Sequence, residues 1–312
     1  MINYILPRLL WLPFLLLVVS FVTFCLGFFG PGDPAIVRLG SKATPEKVAL
    51  LNEKLGLDKP LIVQYTAYMG RFIQGDLGDS YIFEHRSVGE LIAPKLLISA
   101  QLGLAALTIA FVVGIPVGLL AAYRQGSWID TALVSLTLLF YSTPVFISAP
   151  FLIMLFAVKL HMLPASGWDG FLSLSILMPA FVMGIPGIAS ITRLTRSSCL
   201  EAISQDYVRT ARAKGLSEIA VGFHHVLRNA LTPILTVFGL SLATLVEGAF
   251  ITETIFGIPG IGRFAVDSIF NRDYPVIVAM VIIVAMGFAL SNLMIDLFYG
   301  VLDPRVRKRG IS

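Results

Sequence analysis

The chain has 312 residues, 56% of them hydrophobic and 13% charged, and its mean hydropathy is +0.85. Soluble domains carry about a quarter charged residues, so this balance excludes an ordinary water-soluble domain and makes lipid the main solvent. The formal charge of +4 does not point to nucleic acid, because surplus Lys and Arg in a membrane protein collect on the cytoplasmic side.

A spanning helix needs about 20 apolar residues, and six runs qualify: 9–30, 97–123, 131–159, 173–192, 230–252 and 276–300. The expected fold is therefore all-α, a polytopic membrane protein with six spans. The first run follows Arg8 and is longer than the apolar core of a secretory signal. No A-x-A pattern follows it, so 1–30 reads as an uncleaved anchor. Cys25 and Cys199 stand alone in or beside apolar runs; two isolated cysteines make no framework and read as structural.

Residues 31–96 form the one sizeable polar region. PGDPA, from Pro31 to Ala35, is a turn signal. KATPEKVALLNEKLGLDKP predicts a short amphipathic helix with Thr44 as N-cap, Pro45 in the first position and Gly56 at its end. PLIVQYTAYMGRFIQGDLG predicts a second, aromatic-rich helix on the membrane surface. At about 65 residues the region is small for an independent domain and reads as an external cap packed on the bundle.

The later spans are dense in helix-modulating residues: GIPVG from Gly114 to Gly118, Tyr141 to Pro144 and Pro150, then Pro179 and GIPG from Gly184 to Gly187. Small residues let helices approach closely, and prolines are tolerated in lipid. Kinked helices can equally form a gated path, which makes Tyr141 a candidate path residue. Both readings stand at this point.

Orientation follows from basic residues in short loops. With a cytoplasmic N-terminus, that side holds twelve Lys and Arg, including Arg193, Arg196, Arg209, Arg212, Lys214 and Arg228 of the 193–229 loop. The opposite short loops hold Lys159, Arg263 and Arg272. The 31–96 segment carries eight basic residues balanced by eight acidic ones. Both termini are expected inside, with a cytoplasmic tail at 304–312 after a transmembrane domain at 97–303.

Catalytic chemistry is not expected. His85 and His161 lie in external segments, and His224 and His225 are adjacent, about 100° apart on a helix and poorly placed to share a metal. No Gly-rich loop with Lys cradles a phosphate, so nucleotide is left to another chain. Within the expected spans the carboxylates are Glu247 and Asp296. Intramembrane ionisable residues are expensive, and Glu247 is kept as a candidate for the translocation path.

The stretch DYVRTARAKGLSEIAVGFHHVLRNALTP, from Asp206 to Pro233, is longer than two spans need for a connection. Glu201 to Lys214 reads as a helix with Leu200, Ile203, Tyr207 and Ala211 on one stripe. Asp206 neighbours Arg209 and Thr210 at helical spacing. Gly215 supplies a left-handed stop, and Ser217 caps a second helix with Glu218 in its first turn. That helix runs to Asn229, with Pro233 in the first turn of the next span. The result is a helix–Gly–helix elbow rigidly joined to two spans, able to transmit force from a cytoplasmic partner. A solvated loop held to anionic headgroups by its Arg residues is the alternative.

The elbow resembles the cytoplasmic EAA loop of permease subunits in type I ABC importers, most closely the peptide and nickel permease family. YVRTARAKGLS, at Tyr207 to Ser217, and LRNALTP, at Leu227 to Pro233, carry the likeness. Gly215 and Ala211 match the general pattern, while Arg209 takes the Glu place, His225 the Ile place and Arg228 the Pro place. GDLGDS (Gly75 to Ser80), ETIFGIPGIGR (Glu253 to Arg263), RDYPVI (Arg272 to Ile277) and NLMIDLFYGVLDPRVR (Asn292 to Arg307) extend it over nearly the whole chain.

The resemblance implies a multi-pass subunit of a bacterial inner membrane that pairs with a second, similar permease. Two cytoplasmic ATPase subunits holding ATP and Mg would bind the elbows, and an external solute-binding protein would deliver substrate. This chain would bind no cofactor. The ATPase-coupling residues would be Asp206, Tyr207, Arg209, Thr210, Ala211, Arg212, Gly215 and Leu216. Cargo in the family includes dipeptides, longer peptides, glutathione, nickel chelates and sugars. Rival classes are a carrier driven by an ion gradient and a non-transporting scaffold.

Overall fold

A computed structural model describes residues 2–30, 34–40, 43–243 and 250–302. In chain order they form α1 (Ile2–Phe28), α2 (Pro34–Leu39), α3 (Pro45–Leu55), α4 (Leu61–Ile73), α5 (Val88–Tyr123), α6 (Trp128–Ser142) and α7 (Val145–Leu152). Next come α8 (Leu177–Ile203), α9 (Asp206–Ala213), α10 (Glu218–Val221), α11 (Arg228–Ala243), α12 (Phe250–Ile255), α13 (Ile261–Phe270) and α14 (Tyr274–Leu302). No strand occurs among the described residues; a single bridge pairs Asp79 with Ser87.

Among the described residues, four helical stretches are long and apolar enough to cross a membrane: Trp11–Phe28, Val88–Tyr123, Leu174–Ile203 and Tyr274–Leu293. The expected 131–159 span is instead two helices meeting at 104°. Pro144 explains the break, because a proline ring crowds the helical conformation of the residue before it. Thr143 accordingly turns to φ −86, ψ 117. Beyond α7 the chain closes in a π-helical turn, Ile153–Lys159. The expected 230–252 span begins in α11, but residues 244–249 lie outside the described residues. The turn at Pro31–Asp33 and the 304–312 tail lie outside them as well.

Two compact units divide the chain. The first comprises residues 1–98, 246–250 and 259–312. Within it α1 packs along α14, and α4 lies against α1. The Tyr65 hydroxyl meets Ser20 Oγ at 2.8 Å, with Phe21 edge-on to the Tyr65 ring. Both helices expected in the 31–96 segment form. Thr44 accepts from the Lys47 amide, Pro45 opens α3, and Gly56 closes it at φ 68. Asp273 is buried and accepts from the Ser80 hydroxyl and, at 3.0 Å, from the Tyr81 amide. The core beneath is Val88, Leu91, Ile92, Ile261, Phe264 and Val276.

The second unit comprises residues 99–245 and 251–258. Its centre is the contact of α5 with α8. A Cβ added at Gly118 would lie 2.5 Å from the Thr192 carbonyl oxygen and 2.6 Å from Thr195 Cβ. At Gly184 it would lie 2.8 Å from the Ala106 carbonyl. The small residues of GIPVG and GIPG thus bring two backbones together, the packing use of such residues in membranes. Pro186 is accommodated inside α8. Helices α6 and α11 flank α8 on this scaffold, and Phe111 of α5 meets Phe238 of α11 edge-on at 4.9 Å.

Candidate functional site

The polar stretch folds as an elbow, with two departures from the expected boundaries. Glu201 to Lys214 is not one helix. The fourth span continues to Ile203, and Gln205 then adopts an extended conformation (ψ 151) before α9 begins at Asp206. This break turns the register of α9, so Val208 and Ala211 face inward while Tyr207 stays 40% exposed. The expected stripe of Leu200, Ile203, Tyr207 and Ala211 is corrected accordingly: Val208 holds the buried place assigned to Tyr207.

The second departure is that no helix ends at Asn229. A π-helical turn, Gly222–Leu227, joins α10 to α11, and Pro233 lies inside α11 rather than in its first turn. Asn229 donates to the His225 carbonyl at 2.7 Å within this run.

The turn between the helices is as the sequence predicts. Gly215 has φ +82, a conformation L side chains avoid. Its amide donates to the Arg212 carbonyl at 2.9 Å and the Leu216 amide to the Ala211 carbonyl at 3.4 Å, which closes the end of α9 as a Schellman motif. Ser217 accepts from the Ala220 amide and caps α10. Across the turn, Arg212 donates from Nε and Nη2 to the Glu218 carboxylate at 2.8 and 3.0 Å. This pairing holds the Glu218 carboxyl below its usual range and raises Arg212 further. Asp206 takes an ion pair from Arg209 at 3.3 Å, and its carbonyl accepts from Thr210 at 2.9 Å.

Beneath the elbow, Val208, Ala211, Val221 and Val226 form a core with Ala122, Cys199, Ala202 and Ala230. Cys199 is buried and unpaired, as expected. The outward surface presents Asp206, Tyr207, Arg209 and Thr210, with Leu216, Ile219 and Phe223 also exposed. Ile219 and Phe223 were not singled out from sequence; their i, i+4 spacing after the Ser217 cap was the available signal.

A buttress stands behind this surface. Arg196 donates from Nε and Nη2 to the Asp130 carboxylate at 2.7 and 2.8 Å, and the Gly126 amide adds a third bond at 3.1 Å. It ties α6 to α8 about two turns before α8 ends.

The path candidates fare differently. Tyr141 is exposed in the last turn of α6, with the Arg193 guanidinium 6.0 Å from its ring. Glu247 and the Asp296 side chain lie outside the described residues. A carboxylate not singled out as buried is Glu253, fully enclosed, with Ser99 donating to it at 2.5 Å. No group of His, Cys, Asp or Glu suited to a metal occurs among the described residues.

Comparison with known proteins decides the family. The model of the binding-protein-dependent transport system inner membrane component matches residues 114–308. The N-terminal model of such membrane components matches residues 1–91. The chain belongs to this family. The permease is 40% identical over 310 residues to a probable peptide ABC transporter permease protein, y4tP, of Sinorhizobium fredii, covering 97% of this chain and 99% of the relative. It is 39% identical to the dipeptide transport system permease protein DppB of Escherichia coli K12, over 99% of this chain and all of that protein. A solved structure of the MetNI methionine ABC transporter, inward-facing, shares the fold: TM-score 0.50, 20% identity, 66% of this chain and 95% of that one. The permease is thus a multi-pass membrane subunit of an ABC importer, not an enzyme.

Proposed function

We propose that this permease imports di- and oligopeptides, forming half of the translocation path and opening it alternately to either side. One observation carries the reading: proteins named for dipeptide and peptide transport align with the chain from end to end.

The proposed assembly pairs this chain with a second, similar permease. Two cytoplasmic ATPase subunits, which hold the ATP and Mg, each receive an elbow, and an external binding protein delivers cargo. On this chain the 193–229 region is the coupling loop. The exposed face of α9 with Tyr207 and Arg209, together with Leu216 of the turn that follows, enters a cleft on the ATPase, and Gly215 with the Arg212–Glu218 bridge keeps that surface in shape. Residues 31–96 lie outside the cell and both termini inside.

Vesicles reconstituted with the full complex provide the test. Uptake of a labelled dipeptide should require internal ATP and the binding protein. Uptake driven by a proton gradient without ATP would overturn the mechanism, and ATP-dependent uptake confined to sugars would overturn the cargo. For orientation, cysteines replacing the exposed Lys47 and Ser204 should react with an impermeant thiol reagent from outside and only after permeabilisation, respectively.

A further inference from the structure

The first unit holds a cavity of about 630 Å³. Its walls come from the end of α1 (Phe24, Phe28), the start of α14 (Val278) and helices α2 to α4. Four cations converge on it from separate segments: Arg38 of α2, Lys54 of α3, Lys59 of the following turn and Arg71 of α4. One carboxylate, Asp79, accompanies them, and it reaches Arg38 only at 3.8 Å. Among the described residues no ion pair engages Lys54, Lys59 or Arg71. Like charges gathered in this way repel one another and favour an anion between them.

A second observation points the same way. Tyr68 lines the cavity and is 92% buried, yet its hydroxyl has no hydrogen-bond partner among the described residues. A buried hydroxyl in a native structure ordinarily has one. Beside it Tyr81 is pushed up to about 12 by burial, against the pull of Arg38 and Arg71, so those two guanidinium groups already act on the cavity wall. The rest of the lining mixes Asn52 and Gln64 with Phe24, Phe28, Val63, Ala67 and Val278, and Phe28 is exposed at the very end of the first spanning helix. Cations gathered where α1 ends and α14 begins, beside the apolar side chains Phe24, Phe28 and Val278 of those two helices, match a molecule with an anionic head and a hydrocarbon tail.

We propose that this cavity binds the headgroup of an anionic phospholipid, its phosphate held by Arg38, Lys54, Lys59 and Arg71 and by the Tyr68 hydroxyl. The acyl chains leave along Phe28 into the leaflet on that side. None of the lining residues belongs to the 193–229 elbow.

The full-length permease in an uncharged detergent, titrated with phosphatidylglycerol and read by native mass spectrometry, tests this. One tightly retained lipid per chain is expected. Lys59→Gln with Arg71→Gln, both at exposed positions, should weaken retention about 25-fold, that is about fivefold per cation removed. Tyr68→Phe should weaken it with an unchanged melting temperature. Lys47→Gln, on α3 but outside the cavity, should have no effect. Equal weakening by Lys47→Gln would reduce the effect to diffuse surface charge and overturn the site. Equal retention of phosphatidylcholine would overturn the role of the anionic head. Binding of inorganic phosphate at millimolar concentration, with no gain from acyl chains, would assign the cavity to a soluble anion and overturn the lipid.

Discussion

Arg212 and Glu218 face each other across Gly215, joined by two parallel hydrogen bonds of 2.8 and 3.0 Å. The bridge closes a turn whose backbone is already held by the α9 end motif and the Ser217 cap, so three local devices define one shape. Glu218 has a carboxyl pKa below its unfolded value. Its contribution is therefore complete above the ordinary carboxylate range, about 4.3, and is lost as pH falls through the lower folded value. Arg212 stays charged throughout, since its own shift is upward. A fluorescent probe at Lys214→Cys should lose anisotropy on acidification from pH 6 to pH 3. Glu218→Gln should be mobile already at pH 6 and insensitive to acid.

Gly215→Val isolates the backbone term. A Cβ there meets nothing within 4 Å, so the whole cost is the left-handed conformation. That cost is about 1–2 kcal/mol, and Gly215→Asn should recover most of it, because Asn tolerates this region. Thermal unfolding of the variants gives the order glycine, asparagine, valine. Stimulated ATPase activity in the reconstituted complex should fall in the same order.

Tyr207→Ala tests the exposed face of α9. Its ring is not part of the core under the elbow, so truncation should leave the melting temperature within about 0.5 kcal/mol equivalent of the parent. Coupling of ATP hydrolysis to uptake should nevertheless drop, as for an aromatic anchor seated in a partner's pocket. Arg209→Lys should drop it less, by the difference between a planar fork and an ammonium. Full stimulation in both variants would mean that the motor docks elsewhere.

The Asp130–Arg196 pair predicts the largest stability loss. Asp130 is nearly enclosed and Arg196 is 30% exposed, so Asp130→Asn leaves a guanidinium with poor solvation. The expected cost is about 3 kcal/mol. Arg196→Lys keeps the charge but not the two-pronged bond and should cost less than Arg196→Gln. Heat inactivation of the purified permease reads all three.

Gly118→Ala should also destabilise, for steric reasons alone. The added methyl would meet the Thr192 carbonyl, a backbone atom that cannot swing aside, so α5 and α8 must separate. Overpacking of this kind costs about 1–3 kcal/mol. Gly70→Ala on α4, where nothing lies within 4 Å and the backbone is helical, serves as the control.

What sequence made legible was local. Thr44 and Ser217 accept from amides three residues on, Gly56 and Gly215 donate their own amides to carbonyls three or four residues back, and each is found where composition and spacing placed it. The break at Gln205 was not legible, since neither Gly nor Pro marks it and the helical pattern runs straight through. Pro144 was visible, but only three dimensions turn it into a 104° bend. The pairs Asp130–Arg196, Ser99–Glu253 and Ser80–Asp273 are separated by 66, 154 and 193 residues. No periodicity links such partners, so their burial came as new information.

One asymmetry of the elbow bears on how it could move. From Glu218 to Ala243 the backbone stays right-handed helical through every junction, including the π turn, a run of about 40 Å. On the other side, α8 hands over to α9 through the extended Gln205. The two attachments therefore differ in stiffness. A push on α9 is absorbed as bending at Gln205, whereas the same push reaching α10 swings a long lever whose far end is α11. The compliant strap and the stiff lever make the elbow a one-sided linkage, biased to drive α11 and to spare α8.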